Sequence, residues 1–403
     1  MSEEDALSKV QKYLHRQGID RLSPIARKVE REGTPNRRNV VLVFMESMSA
    51  NLMGTFGSDK KLTPYLDSLY QQSLSFSHFY SSGIHTNHGI YSTLYSFPAI
   101  MKRNAMKGSV IPVYSGLPTV LQENGYCNLF FMTHESQYDN MNAFLRTNGF
   151  DEIYAQENYP SEKVVNSFGV QDDFMYQYAL PILNERAGTG NPFFSVLLSI
   201  SNHPPYVIPP YFHPHSDVLE EQIVEYADWS IRQFMQAAEK QPWFDNTIFV
   251  FLGDHGKMVG TPECEMPQSY NHIPLMIYGK DIKPGVYDGF GGQVDVSPTL
   301  LGLLNISYLQ NNFGVNLLEE ERPCMFFTAD NLIGARDSVN MFIYSPDSQQ
   351  EFKYKLEEGK LRAATGTDEE AFRNLKDYCF SMLQSTESLV KEHKTLDKVS
   401  VKK

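Results

Sequence analysis

Cysteine is scarce. The 403 residues contain four, Cys127, Cys264, Cys324 and Cys379, and no two fall at a metal-ligand spacing. This excludes a disulfide framework and a cysteine-based zinc site as organising features. Cys127 and Cys324 stand in strand-like runs, where a thiol serves as a small apolar core group. Long apolar runs are also missing. No stretch approaches the ~20 residues of a membrane span, and the first residues show no signal-peptide pattern. Positive charge is short too: 35 Lys and Arg against 48 Asp and Glu give a net charge of -13. That argues against a nucleic-acid partner and against unspecific adhesion to anionic lipid, although a local basic site can still hold a phosphate. There is no internal repeat and no low-complexity segment.

What is present is core-forming material. At 41% hydrophobic and 13% aromatic residues, the chain can bury one large domain, or one with an appendage. Strand and helix patterns alternate, as a doubly wound sheet requires. Strand runs fall at 39–46, 127–133, 193–201, 246–253, 273–278 and 323–328. Helical periodicity falls at 63–74, 87–97, 116–124, 139–148, 171–184, 219–239 and 296–304. Thr63-Pro64 is a helix start, with proline at the first turn. After 310 the texture changes. Residues 340–344 and 352–356 alternate like a hairpin or small antiparallel sheet, and an amphipathic helix over about 368–391 precedes a charged tail. Residues 1–38 are polar and helical in character, like a linker. The expected architecture is α/β: a three-layer α/β/α sandwich with a mostly parallel central sheet over 39–310, followed by a small C-terminal antiparallel subdomain over 311–403.

Three strand ends carry chemistry. The run Thr247 to Leu252 reads as a buried parallel strand and stops in Gly253-Asp254-His255-Gly256. Open α/β sheets place ligands at such carboxyl ends, and Asp beside His offers an oxygen and a nitrogen to a metal. A plain Asp-His-Gly turn is the competing reading. Asn39 to Met45 likewise ends in a lone carboxylate, Glu46, which needs a cation or solvent. The third is Gly83-Ile84-His85-Thr86-Asn87-His88-Gly89, where an extended segment gives way to a helical pattern. Thr86 sits at or near the helix N-cap. Its hydroxyl either caps the helix or, at a helix terminus suited to phosphate and beside a cation, becomes a nucleophile.

In this order and these contexts, Glu46, Thr86, Asp254 and His255 resemble the alkaline phosphatase and sulfatase superfamily. More narrowly, the chain resembles the extracellular catalytic domain of lipoteichoic acid synthase and related phosphoglycerol transferases, over roughly residues 39 to 310. The supporting segments are Val43-Phe44-Met45-Glu46-Ser47, Leu62-Thr63-Pro64-Tyr65-Leu66-Asp67-Ser68-Leu69, the Thr86 segment, Ser199-Ile200-Ser201-Asn202-His203-Pro204-Pro205-Tyr206, Asp254-His255-Gly256, and Val294 to Leu301. The resemblance implies one divalent cation, manganese or magnesium with zinc as a third candidate, held by Glu46, Thr86, Asp254 and His255. It implies Thr86 as a covalent nucleophile, an anionic phospholipid donor and an envelope glycan or glycolipid acceptor. It also implies a membrane anchor upstream of residue 1, a start other than Met1, and a catalytic domain outside the cytoplasmic membrane.

Departures from the pattern narrow the subclass. Residues 83 to 91 lack the Cys/Ser-x-Pro-x-Arg setting of formylglycine sulfatases. Ser199 stands where two-metal relatives have Asp, so His203 is free to bind substrate; ordering of the Pro204-Pro205 loop is its competing role. Tyr138 and Asn140 occupy the places of a Trp and an Arg that hold glycerol phosphate, and Asn cannot act as a bidentate clamp. His134, Tyr138 and Asn140 are pocket candidates by position. His85 and His88 flank the nucleophile, with local turn bonding an equal alternative. His272, beyond a long loop, is a substrate-binding candidate, by likeness to phosphoethanolamine transferases, the leading alternative activity. A phosphodiesterase or phosphatase uses the same nucleophile with water as acceptor, and a binding module with a disabled site is the third class.

Overall fold

The computed structural model describes residues 1–357, 360–364 and 369–398. Eight strands form the central sheet, in the spatial order Gly285–Gly292, Leu74–Tyr80, Leu275–Tyr278, Thr247–Gly253, Asn39–Met45, Phe193–Leu198, Cys127–Met132, Glu152–Tyr154. Leu275–Tyr278 runs antiparallel to both neighbours, and every other pairing is parallel. The middle strands are apolar end to end because helices cover both of their faces. Side chains alternate between two cores. Val40, Leu42 and Phe44 face one core, with Ile90, Leu94, Leu117 and Leu300 from the helices Thr86–Tyr95, Leu117–Glu123 and Val296–Leu303. Val41, Val43 and Met45 face the other, with Leu66, Met175 and Ile231 from Pro64–Gln72, Asp172–Ala187 and Leu219–Ala238. This is the expected three-layer sandwich.

The small C-terminal sheet is present as a separate antiparallel unit of five strands, Met325–Thr328, Ile333–Arg336, Asn340–Ser345, Gln350–Glu357 and Lys360–Ala363. Its expected hairpin pairs Met341 with Tyr354 and Ile343 with Phe352. One expectation needs correcting. The run at 323–328, read with the central strands, is the first strand of this second sheet, where Met325 pairs with Arg336. A short apolar run does not say which sheet it joins. Helix Glu369–Lys391 matches the amphipathic pattern, while residues 368 and 399–403 of the expected helix and tail lie outside the described residues.

Both ends of the chain are tied in. Helix Glu3–Tyr13 lies on Glu369–Lys391, with Lys9 Nζ 2.7 Å from Asp377 and the Tyr13 and Tyr378 rings packed edge to face. The short strand Arg27–Val29 pairs with Tyr308–Gln310. Beyond 310, Phe313, Val315 and Leu317 join the main core, and buried Arg322 makes a two-pronged ion pair with buried Asp295 at 2.7 and 2.6 Å. The four cysteines are unpaired. Among the described residues, no helix is long and apolar enough to cross a membrane.

Candidate metal and nucleophile site

Two neighbouring parallel strands deliver the acidic residues. Met45 pairs with Gly253, and Glu46 and Asp254 are the next residues on each strand. Both are buried, at 1% and 0% exposure. Asp254 Oδ1 accepts from the Ser47 and His255 amides at 2.8 and 2.7 Å. Its other oxygen, Oδ2, is buried and has no hydrogen-bond partner. Glu46 Oε1 accepts from the Ser47 hydroxyl at 2.7 Å. His255 Nδ1 lies 2.8 Å from the Gly256 carbonyl oxygen. A carbonyl only accepts, so Nδ1 carries the proton and Nε2 presents a bare lone pair. That Nε2 is 3.5 Å from Asp254 Oδ2 and 3.8 Å from Glu46 Oε1.

One ligand atom each from Glu46, Asp254 and His255 lies within 4.8 Å of the other two. A cation bound at about 2.0–2.6 Å from each ligand leaves spacings of this size. The electrostatics agree. Burial and then the Asp254 carboxylate hold Glu46 well above the usual carboxylate range. A cation relieves both causes, and it gives the orphaned Asp254 oxygen a partner. The residues therefore fit a divalent metal.

Thr86 arrives from a third junction. It is the first residue of helix Thr86–Tyr95, one position earlier than the periodicity predicts. The cap position is His85, and no side chain caps this helix end. The Thr86 hydroxyl is thus not spent on capping, and its Oγ1 lies 3.4 Å from Glu46 Oε2. Gly89, in the first turn, permits the approach: a Cβ there would stand 2.2 Å from the Asp254 carbonyl oxygen.

The structure joins three of the expected pocket residues through a ring sequence. His134 and Tyr138 are 4.8 Å apart between centroids, Tyr138 and Phe168 6.1 Å, Phe168 and His203 4.2 Å. His134 and His203 each donate from Nδ1 to a neighbouring carbonyl, Glu135 at 3.0 Å and Pro204 at 2.6 Å, and neither Nε2 has a hydrogen-bond partner among the described residues. Burial lowers the His134 pKa. Tyr138 is 44% exposed, and burial, then the Asp139 and Glu46 carboxylates, raise the pKa of its hydroxyl. Asn140 is pinned elsewhere, its amide donating to the Met106 carbonyl at 2.7 Å.

His272 is not brought to the cluster. Its Nε2 meets the Ser77 carbonyl at 2.9 Å, its ring packs on Phe56 and Tyr80, and burial lowers its pKa to about 4. His85 bonds Asp330 of the C-terminal subdomain at 2.6 Å, and His88 bonds the Arg103 carbonyl at 3.2 Å. The subdomain thus reaches the Thr86 segment, where the Thr328 amide also donates to the Ser82 carbonyl.

Sequence reading missed Lys257, Asn202 and Phe168. Lys257 Nζ donates to Asn202 Oδ1 at 2.6 Å, and Asn202 Nδ2 donates to the Glu46 and Ser47 carbonyls at 3.1 and 3.3 Å. Lys257 follows Asp254-His255-Gly256 directly, and Asn202 precedes His203, so proximity to those motifs was the available signal. A cavity of about 900 Å³ between the helices Pro64–Gln72 and Leu219–Ala238, walled by Tyr65, Phe212 and Trp229, contains none of these groups.

A carboxylate pair and an imidazole at parallel strand ends, facing a hydroxyl at a helix start, define an enzyme of the alkaline phosphatase and sulfatase superfamily. The chain belongs to the sulfatase family, whose model matches residues 38–306. It is 25% identical over 324 residues to the lipoteichoic acid synthase-like YvgJ of Bacillus subtilis, covering 72% of this chain and 51% of that protein. It is 23% identical over 393 residues to the lipoteichoic acid synthase of Staphylococcus aureus strain USA300, covering 86% and 57%. The chain thus spans little more than half the length of these relatives. Among solved structures, an alkaline phosphatase superfamily protein from Vibrio parahaemolyticus superimposes with a TM-score of 0.88 at 25% identity, covering 98% and 97% of the two chains. The lipoteichoic acid synthase LtaP from Listeria monocytogenes shares the fold, with a TM-score of 0.76 at 22% identity over 95% and 98%.

Proposed function

We propose that this chain is the catalytic part of a metal-dependent phosphoglycerol-type transferase. The observation that carries this reading is the uncapped Thr86 hydroxyl at 3.4 Å from Glu46, beside Asp254 and His255. The donor is an anionic membrane phospholipid, and the acceptor is a hydroxyl of an envelope glycan or glycolipid. The enzyme works at the outer face of the cell membrane.

Glu46, Asp254 and His255, with Thr86 as fourth ligand, would hold one divalent cation. An oxygen-rich set with one imidazole suits manganese or magnesium ahead of zinc. When bound, the cation lowers the pKa of the threonine hydroxyl and neutralises charge on the phosphoryl group. Thr86 Oγ1 gives up its proton and attacks phosphorus. The bond from phosphorus to the lipid alcohol breaks, and the departing oxygen takes a proton. The acceptor hydroxyl then attacks the phospho-threonine, loses its proton and returns the Thr86 hydroxyl. Splitting one displacement into two lowers the barrier of each. His134, Tyr138 and His203 wall the substrate, with Tyr138 in the role of an aromatic platform.

The test uses phosphatidylglycerol with candidate acceptors. Thr86→Ala and Thr86→Val should lose several orders of magnitude in turnover at an unchanged thermal midpoint, while Thr86→Ser keeps some. Mass spectrometry of trapped enzyme should find a glycerophosphoryl adduct on Thr86. Near wild-type turnover by Thr86→Ala overturns the covalent mechanism. Products formed with water alone make the enzyme a hydrolase.

A further inference from the structure

Lys257 makes no ion pair among the described residues, and the Glu220 and Glu46 carboxylates act on it only from beyond ion-pair distance. Its side chain is half-buried. Its polar partner is the neutral Asn202 side chain, and its ammonium stands 5.4 Å from the centre of the Tyr206 ring. A partly desolvated ammonium without an ion-pair partner is costly, so such a group is retained where a ligand supplies the anion.

The position is built. The Lys257 amide donates to Ser49 Oγ at 2.8 Å, and that hydroxyl donates back to the Lys257 carbonyl at 3.0 Å. Asn202 is tethered to the Glu46 and Ser47 carbonyls, so the ammonium is two hydrogen bonds from the candidate metal ligand. Across the pocket, Asn140 offers no positive charge, and Lys107 is already paired with Asp139 at 2.9 Å.

We infer that Lys257 is the anion-binding residue of this pocket: its ammonium pairs with a non-bridging oxygen of the phosphodiester that is presented to Thr86. The inference rests on the phosphoryl-transfer reading above and adds the residue that supplies the missing cationic contact. The cation–π contact with Tyr206 and the Asn202 hydrogen bond hold the ammonium in place for the incoming ligand. No bond to Lys257 is made or broken.

The experiment compares wild type, Lys257→Met and Lys257→Arg, each loaded with manganese. The first readout is thermal stabilisation by inorganic phosphate, which requires no turnover. Phosphate should raise the midpoint of wild type and of Lys257→Arg but not that of Lys257→Met. Without phosphate, Lys257→Met should melt no lower than wild type and bind manganese equally, because an unpaired charge has been removed. The second readout is steady-state kinetics on a phosphodiester. Lys257→Met should lose on the order of 100-fold in kcat/KM, mostly through KM, with partial recovery in Lys257→Arg. Undiminished phosphate stabilisation in Lys257→Met overturns the inference. So does a loss shared by stability, manganese affinity and turnover, which marks Lys257 as a strut for Asn202. If wild type turns over no phosphodiester, the transferase reading fails, and the phosphate-binding comparison still decides Lys257.

Discussion

Gly89 sits against the backbone of Asp254 so closely that a Cβ on it would lie 2.2 Å from the Asp254 carbonyl oxygen. The first turn of helix Thr86–Tyr95 therefore touches the end of the strand that leads into the candidate metal ligands Asp254 and His255. Nothing flexible separates them, since the obstructing atoms are backbone. Gly89→Ala must push the helix start away from Asp254, and Thr86 moves with it. The expected outcome is a loss of at least 100-fold in turnover, by the sensitivity of catalysis to ångström displacements. Manganese affinity should also fall. Retention of wild-type turnover by Gly89→Ala, measured beside its melting curve, would show that the approach of helix to strand is not required.

The pair Glu46 and Asp254 makes a second prediction, about metal. Without a cation the two buried carboxylates oppose each other; with one they are ligands. Manganese at about 100 times its dissociation constant should stabilise the fold by about 2.7 kcal/mol, and a chelator should remove the gain. Asp254→Asn and Glu46→Gln should each abolish most of this shift. Glu46→Gln should cost the metal-free protein little, because burial and then Asp254 already push Glu46 toward its neutral form, which Gln resembles. Calorimetric titration of the three proteins checks this. A full manganese shift in both variants would place the cation elsewhere.

Much of this site was legible because the strands that build it are the simplest kind. Asn39–Met45 and Thr247–Gly253 are unbroken apolar runs, buried on both faces, and a carboxylate directly after such a run is conspicuous. The sheet's edges were harder. Gly285–Gly292 reads Gly-Val-Tyr-Asp-Gly-Phe-Gly-Gly, with four glycines and no alternation, and it becomes a strand by pairing with Leu74–Tyr80 along an exposed edge. Leu74–Tyr80 itself was seen only as an extended segment before Gly83. Lys257 stands directly after the Asp254-His255-Gly256 motif, but its surroundings were hidden for another reason. Its partners Asn202, Ser49 and Tyr206 come from distant segments, so only the folded chain shows that it makes no ion pair among the described residues. His272 illustrates the converse. A histidine after a long loop looks available, but its ring is committed to Ser77, Phe56 and Tyr80.

Asp228 yields a pH prediction independent of the metal. It is 3% exposed and accepts from the Tyr65 and Leu66 amides at 3.0 and 2.8 Å, at the start of helix Pro64–Gln72. Burial raises its pKa from 3.8 to about 7, outweighing the two amide donors, which pull it down. The native state thus holds a proton on Asp228 at pH values where the unfolded chain has released it. Stability from this residue is fully present below its ordinary pKa and is lost as pH rises through about 7. Asp228→Asn keeps a carbonyl acceptor at the helix start but cannot titrate. Denaturant midpoints at constant ionic strength from pH 4 to pH 8 should therefore fall more steeply for wild type than for Asp228→Asn. Buried Asp172, raised by burial to about 6, contributes a fall of the same sign to both proteins, so the difference between the two curves isolates Asp228. Parallel curves across this range would mean that the helix-end amides hold the carboxylate ionised and that burial does not win at this site.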